Sequence, residues 1–347
     1  MTRKHQNSTL IIRTDGSREI GVGHIYRCLA LAEALRARGF EIIFAVTVTP
    51  PPLVTLIQQR GYEVQTLPDA ADLEQFMALA RQHRTRAICV DTYAASEDFY
   101  NALAARGMCV FCIHDFADFP RAAELVINHN IYAPELQYEV APHTRLLLGP
   151  RYALLRAEFR AARLHAVARA TPTNLLVLLG GSDPHNLTFK ITQGLLQNLP
   201  QEIFIHTVVG PATSGLLELQ QLEQTHARLR VYNQPPNLPE IMAAATLAIT
   251  GAGVTVYELA CLGVPALLLI IAENQRRNAE SFARHGLAQT LGWHEHIAPE
   301  NVTAAAQRLL NDPQKLSEMK TAGRNLVDGL GAQRVAEEIS NAFASHQ

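Results

Sequence analysis

The sequence predicts an α/β protein of two doubly wound domains that face one another with a ligand cleft between them. Three observations carry this expectation. Short β-rich apolar runs alternate with longer helical patterns almost throughout, the order expected of βαβ units and a parallel sheet. The alternation breaks between Ile131 and Thr173 and then restarts. The 347 residues also exceed what a single hydrophobic core usually serves.

In order, Leu10–Arg13, Glu41–Val46, Glu63–Leu67, Ala87–Val90, Val110–His114 and Leu125–Asn128 read as strands, with helices between the first five. The clearest helix follows the first strand, where Cys28, Leu29, Leu31, Ala32 and Leu35 make an apolar stripe ended by Gly39. After the break come Leu175–Leu179, Ile203–Val208, Leu247–Ile249 and Ala266–Ile270, then three helical segments from about Pro299, the last starting at Ala332. The expected division is 1–150 for the first domain, 151–173 for the connection, 174–330 for the second domain and 331–347 for a terminal helix.

Composition narrows the function. Apolar residues make up 48% and charged residues 18%, which indicates a globular protein. A net charge of −2 offers no basic field for a nucleic-acid backbone. Cys28, Cys89, Cys109, Cys112 and Cys261 show no CxxC pair and no metal-ligand spacing, so reduced core thiols, no metal and no cofactor are expected. Met1 to Ser8 lacks the apolar centre of a signal peptide, and the longest apolar run, Val264 to Ala272, is about half a membrane span. A cytoplasmic protein without stable membrane association is the expectation.

In doubly wound sheets ligands bind beyond the carboxyl ends of the strands, so the loops after the strands matter most. After the first strand, Asp15 leads through Gly21 and Gly23 into His24 in the first turn of a helix. Glycines there allow close backbone approach, and free N–H groups at a helix start suit an anion such as a diphosphate. A neutral His24 imidazole can take a proton from water as a general base. Equally, the glycines serve a tight turn that His24 caps. In the second half Gly180, Gly181 and Ser182 suit phosphate oxygens, while Ser182 or Asp183 also suits a helix N-cap. Next, Gly251-Ala252-Gly253-Val254-Thr255 precedes Glu258. The N–H groups of Gly253, Val254 and Thr255 suit a diphosphate and Glu258 a ribose, yet Thr255 and Glu258 also have capping-box spacing. Glu273-Asn274-Gln275 and Asp91-Thr92-Tyr93 sit at further strand tips, as a turn or as cleft lining. His114-Asp115 either orients a base or closes a turn.

Seven marks in order carry a resemblance: Arg13 and Asp15 with Ile20 to Leu29; Asp91 and Tyr93; Leu125 to Asn128; Gly149 to Arg156; Gly180 to Thr188; Gly251 to Glu258; and Glu273 to Gln275. Together they resemble the UDP-sugar hydrolases of pseudaminic-acid biosynthesis, which have the GT-B architecture of two facing Rossmann-like domains, and related spore-coat polysaccharide proteins. The resemblance covers nearly the whole chain. It implies metal-independent hydrolysis of UDP-2,4-diacetamido-2,4,6-trideoxy-β-L-altropyranose to UDP and the free sugar. On that basis His24 activates water, and Tyr93 and Asn274 position the sugar or the water. Asp15, Arg27 and Gln275 join the substrate contacts, Glu258 holds the ribose, and Gly21, Gly23, Gly181, Ser182, Gly253, Val254 and Thr255 the diphosphate. Val254 stands where a small or hydroxyl residue is expected, which leaves a backbone contact there.

The same architecture supports glycosyl transfer, since fold does not decide between water and another hydroxyl. A lipid-linked acceptor would call for an apolar or basic surface, for which Val46–Ile57 is the candidate, or else a loop and a buried helix start. A UDP-sugar 2-epimerase would need a carboxylate-rich site that the sequence does not display. A nucleotide-sugar binder without turnover is the remaining alternative.

Overall fold

A computed structural model describes residues 8–17, 21–68, 73–118, 122–165, 173–183, 185–210, 212–213 and 215–346. The chain begins with β1 (Ser8–Thr14), α1 (Gly23–Arg36), β2 (Phe40–Val46), α2 (Pro51–Gln59), β3 (Glu63–Thr66) and α3 (Leu73–Gln82). It continues with β4 (Ala87–Asp91), α4 (Glu97–Ala105), β5 (Cys109–Ile113), β6 (Leu125–Asn128) and β7 (Arg145–Leu148). Then come α5 (Ala157–His165), β8 (Asn174–Leu178), β9 (Ser182–Asp183), α6 (Leu187–Asn198), β10 (Phe204–Val209), β11 (Ala212–Thr213) and α7 (Leu216–Thr225). They are followed by β12 (Leu229–Asn233), α8 (Leu238–Ala243), β13 (Leu247–Gly251), α9 (Thr255–Leu262), β14 (Ala266–Ile270) and α10 (Arg276–Arg284). The last elements are β15 (Ala288–Trp293), α11 (Pro299–Leu310), α12 (Pro313–Leu326) and α13 (Gly331–His346).

Two compact units result: Met1–Arg156 with Gly329–Gln347, and Ala157–Asp328. The first holds a parallel sheet in the order β3-β2-β1-β4-β5-β6-β7, the second a parallel sheet in the order β12-β10-β8-β13-β14-β15. Each order reverses direction beside its first strand, and that switch point opens a crevice at the strand carboxyl ends. In the first unit it falls between β1 and β4, in the second between β8 and β13.

The apolar runs form strands because both faces of each sheet are covered. Along β1, Leu10 and Ile12 join a core with Ile25, Leu31 and Leu35 of α1, while Ile11 joins Phe76 of α3 and Phe99 and Leu103 of α4 on the other face. Val335, Ile339 and Phe343 of α13 complete the first of these cores, so the terminal helix packs in the first unit, against α1. In the second unit Leu175, Val177 and Ile249 pack with Ile191 and Leu195 of α6 and Val302 and Ala306 of α11.

The expected connection at 151–173 holds α5, which packs with α8 and α9 inside the second unit. Arg163 fastens it by donating to the carbonyls of Cys261 at 2.7 Å and Arg324 at 2.9 Å. The chain therefore passes between units at Arg156–Ala157 and again at Asp328–Gly329, and residues 166–172 lie outside the described residues. The segment Val46–Ile57 is the end of β2, a loop and the start of α2, with Leu53 and Ile57 buried in the core and Val48 exposed. Among the described residues no helix is long and apolar enough to cross a membrane. All five cysteines are buried and unpaired with one another.

Candidate functional site

At the switch point of the first unit, α1 starts without a side-chain cap; its N-cap is Val22. Gly21 takes a positive φ of 81°, which a residue with a Cβ rarely adopts. His24, one residue into the helix, does not cap the turn. Its Nδ1 lies 2.7 Å from Asp91 Oδ1 at the end of β4. A carboxylate only accepts, so Nδ1 carries the proton and Nε2 keeps a lone pair in the neutral ring. Nε2 makes no hydrogen bond among the described residues.

Arg27, one turn further along α1 and 4% exposed, organises the rest. Its Nε donates to Asp91 Oδ2 at 2.7 Å, and its Nη1 reaches both oxygens of Asp115, at 2.9 and 3.2 Å. The second terminal nitrogen donates to Asp91 Oδ1 at 2.5 Å and lies 3.0 Å from His24 Nδ1, a contact between two N–H groups that share one acceptor. Asp115 also accepts from the Tyr93 hydroxyl at 2.5 Å and from Asn130 Nδ2 at 2.9 Å. The Tyr93 ring stands edge-on to His24, centroids 4.7 Å apart. Burial pushes Asp91 and Asp115 up, but the Arg27 charge and the hydrogen bonds donated to them outweigh it and hold both well below the usual carboxylate range. His129, just beyond β6, is pushed down to about 4 by burial and by the Arg27 charge. Both carboxylates are therefore ionised at neutral pH while His129 is neutral.

Asp15 is engaged within the first unit. Its carboxylate pairs with Arg13 at 2.7 Å and accepts from the N–H groups of Thr47 and Val48 at 2.7 and 3.0 Å, bracing the loop between β2 and α2. Arg27 likewise is committed to two carboxylates. Neither residue needs a ligand to complete its bonding.

In the second unit the switch point is lined by the loops after β8 and β13. The loop after β13 enters α9 with Val254 as N-cap and no side-chain cap hydrogen bond, so the capping box of Thr255 and Glu258 does not form. Helix geometry leaves the first N–H groups, including those of Gly253, Val254 and Thr255, without carbonyl partners of their own. The loop is held from behind. Gln275 Oε1 accepts from Ala252 N at 3.1 Å and Ile271 N at 3.3 Å, while Asn278 Nδ2 donates to Ala252 O at 3.3 Å. Tyr257 fixes Asn278 through a 2.7 Å hydrogen bond. Gln275 thus spends its amide oxygen on the backbone. Asn274 is exposed in the single turn Glu273–Gln275.

After β8 the N-cap of α6 is Asn186, not Ser182 or Asp183, and its side chain makes no capping bond. Asp183 accepts from Leu187 N at 2.9 Å and Thr188 N at 2.7 Å, which puts a carboxylate where an anion would otherwise dock on α6. Gly181 is partly exposed beside it, next to Gly180 with φ 105°. Gly210 packs so closely that a Cβ there would meet Gly180 O and Gly181 Cα at 2.6 Å. Ser182 is described as backbone in β9, paired with β11.

The structure thus joins His24, Arg27 and Tyr93 in one cluster, and Gly253, Val254, Thr255, Glu258 and Gln275 in another. Asn274 belongs to a different unit from His24. The sequence offers Asp91 as a turn or cleft-lining residue without a role of its own, and does not single out Asn130. Position at a strand tip was the available signal for Asp91; for Asn130, two residues past β6, there was none.

Comparisons with known proteins bear on the fold and on the second unit. Residues 175–338 match the model of the glycosyltransferase family 28 C-terminal domain. An uncharacterised protein of Methanocaldococcus jannaschii is 30% identical over 79% of this chain, and the chain spans 58% of that protein's length. The spore coat polysaccharide biosynthesis protein SpsG of Bacillus subtilis is 27% identical over 96% of this chain and 98% of its own. The UDP-2,4-diacetamido-2,4,6-trideoxy-beta-L-altropyranose hydrolase of Campylobacter jejuni is 24% identical over 80% of this chain and 97% of its own. Among solved structures, MurG of Acinetobacter baumannii superposes with a TM-score of 0.69 at 17% identity, covering 96% of this chain and 99% of that one. The chain accordingly has the GT-B fold of two parallel-sheet, Rossmann-like α/β units, the second of them similar to the C-terminal domain of family 28 glycosyltransferases.

Proposed function

We propose that this protein hydrolyses a UDP-linked sugar, with water activated by His24. The observation that carries the proposal is the 2.7 Å pairing of His24 Nδ1 with buried Asp91, which orients the ring and leaves Nε2 as the acceptor. In the reaction the water oxygen bonds to the anomeric carbon, its proton passes to Nε2, and the bond to the β-phosphate oxygen breaks to release UDP. Tyr93, edge-on to His24, positions the water or the sugar together with Asn274. The uncapped start of α9 supplies N–H groups and a dipole for the diphosphate, and Glu258 accepts from the ribose hydroxyls. Gln275 acts by holding the loop. Similarity to the Campylobacter hydrolase supports a deoxy-diacetamido hexose as the sugar; a place in nonulosonic (pseudaminic) acid formation and independence of a metal are what the motif resemblance implies.

The match to a glycosyltransferase domain favours a second reading. There the same base would deprotonate an acceptor hydroxyl, and the donor would go to a surface polysaccharide. The experiment is UDP release from UDP-2,4-diacetamido-2,4,6-trideoxy-β-L-altropyranose with EDTA and no acceptor. Rapid release supports hydrolysis. Release that requires an added acceptor transfers the assignment to glycosyl transfer, and tight UDP binding without release to either compound removes both.

A further inference from the structure

One guanidinium bridges two carboxylates of the first unit, and each carboxylate holds a different ring. Asp91 holds His24, and Asp115 holds the hydroxyl of Tyr93. Arg27 joins the two through bonds of 2.7 Å to Asp91 and 2.9 Å to Asp115. Asp115 itself is pinned by Asn130 at 2.9 Å, whose Nδ2 also donates to Asn128 Oδ1 at 2.9 Å. We infer that Asp115 is a positioning residue, setting both the orientation of Tyr93 and the charge felt by His24 through Arg27. The kinetic part of this inference rests on the hydrolase reading, but the electrostatic part does not.

The argument is one of charge and geometry. Asp91 and Asp115 bring two negative charges and Arg27 one positive, so the buried cluster has one negative charge in excess. His129 adds none near neutrality, because its ionisation lies near pH 4. His24 faces Arg27 on its own helix, Asp91 and Tyr93 at the end of β4, Asp115 beyond β5 and His129 beyond β6. Neutralising Asp115 removes the excess charge and makes a protonated His24 less favourable. The hydroxyl of Tyr93 works the other way, partly neutralising Asp115. Removing only that hydroxyl should make a protonated His24 slightly more favourable. A role confined to structural support predicts neither shift.

The test is an NMR titration of ¹⁵N-histidine-labelled protein, with the His24 signal assigned by its loss in His24→Ala. In Asp115→Asn the His24 midpoint should move down by roughly 1 pH unit, the scale expected for losing a nearby partly buried charge. In Tyr93→Phe, at a position 37% exposed and therefore tolerant, it should move up by a few tenths of a unit. Asp115→Asn should also lower kcat by roughly 10- to 100-fold through misplacement of Tyr93. Unmoved midpoints overturn the inference; if Asp115→Asn does not fold, an unmoved midpoint in Tyr93→Phe does so alone. Shifted midpoints in a protein that releases no UDP leave the coupling standing and overturn the hydrolase reading instead.

Discussion

A histidine at the start of a helix is ordinary; one whose Nδ1–H is held by a carboxylate with no exposed surface is not. Burying Asp91 is costly unless its charge is met, and Arg27, His24 and the Cys28 thiol at 3.2 Å meet it. His24→Ala removes the base while leaving the loops of the second unit intact. It should lower kcat by roughly two to four orders of magnitude, with UDP affinity measured by calorimetry unchanged. Glu258 gives a second prediction at this scale. Because Val254 rather than Thr255 is the N-cap of α9, Glu258→Ala removes no capping box. UDP binding should weaken by roughly 10-fold or more, the scale of a lost hydrogen bond to a charged group. A fall in melting temperature with affinity intact would return Glu258 to a structural role.

The elements convert sequence periodicity into placement. The glycine loop after β13 is shaped by α10 and the turn before it, where Gln275 and Asn278 take both polar groups of Ala252. Gln275→Ala strands the Ala252 N–H, at a cost of roughly 1–3 kcal/mol, and loosens the loop. Weaker UDP binding and a lower urea midpoint are both expected, and equilibrium denaturation with and without UDP checks them together. Helix α13 closes one face of the first sheet, with Ile339 fully buried and Phe343 beside Phe40 at 6.0 Å. Ile339→Ala should cost about 2–5 kcal/mol, read as earlier unfolding of the first unit. Beyond the two-residue β9 and β11, the strands missed in the sequence, β7, β12 and β15, are all sheet edges; Arg145 and Leu146 of β7 are exposed. An edge strand buries less of itself, so its residues carry less of the apolar signal by which central strands are read.

For the molecule as a whole, the buried charges tie the stability of the first unit to pH. His129 ionises near 4 when folded and near 6.5 when unfolded. Between those values the unfolded chain binds the proton and the folded chain does not. The contribution is present above about pH 6.5 and is lost as pH falls toward 4, by roughly 3 kcal/mol in all. Asp91 and Asp115, both depressed, follow with a further loss at lower pH as they are protonated. Denaturant midpoints measured from pH 7 to 4 should therefore fall, and fall less in His129→Gln. An unchanged slope in that variant would remove His129 from the account. The sequence by itself determined that there are two doubly wound halves, because apolar alternation and helical period are local properties of the chain. It also placed His24 and the glycine segments at strand tips, where parallel sheets gather their loops. Only the tertiary structure decided which of those tips meet. Asp91 reaches His24 across 67 residues, and Asp115 reaches Arg27 across 88, because β1, β4 and β5 lie side by side in an order that crossovers rather than local signals set. It likewise sent α13 back to the first unit, since an amphipathic stripe states that a partner is needed without stating which.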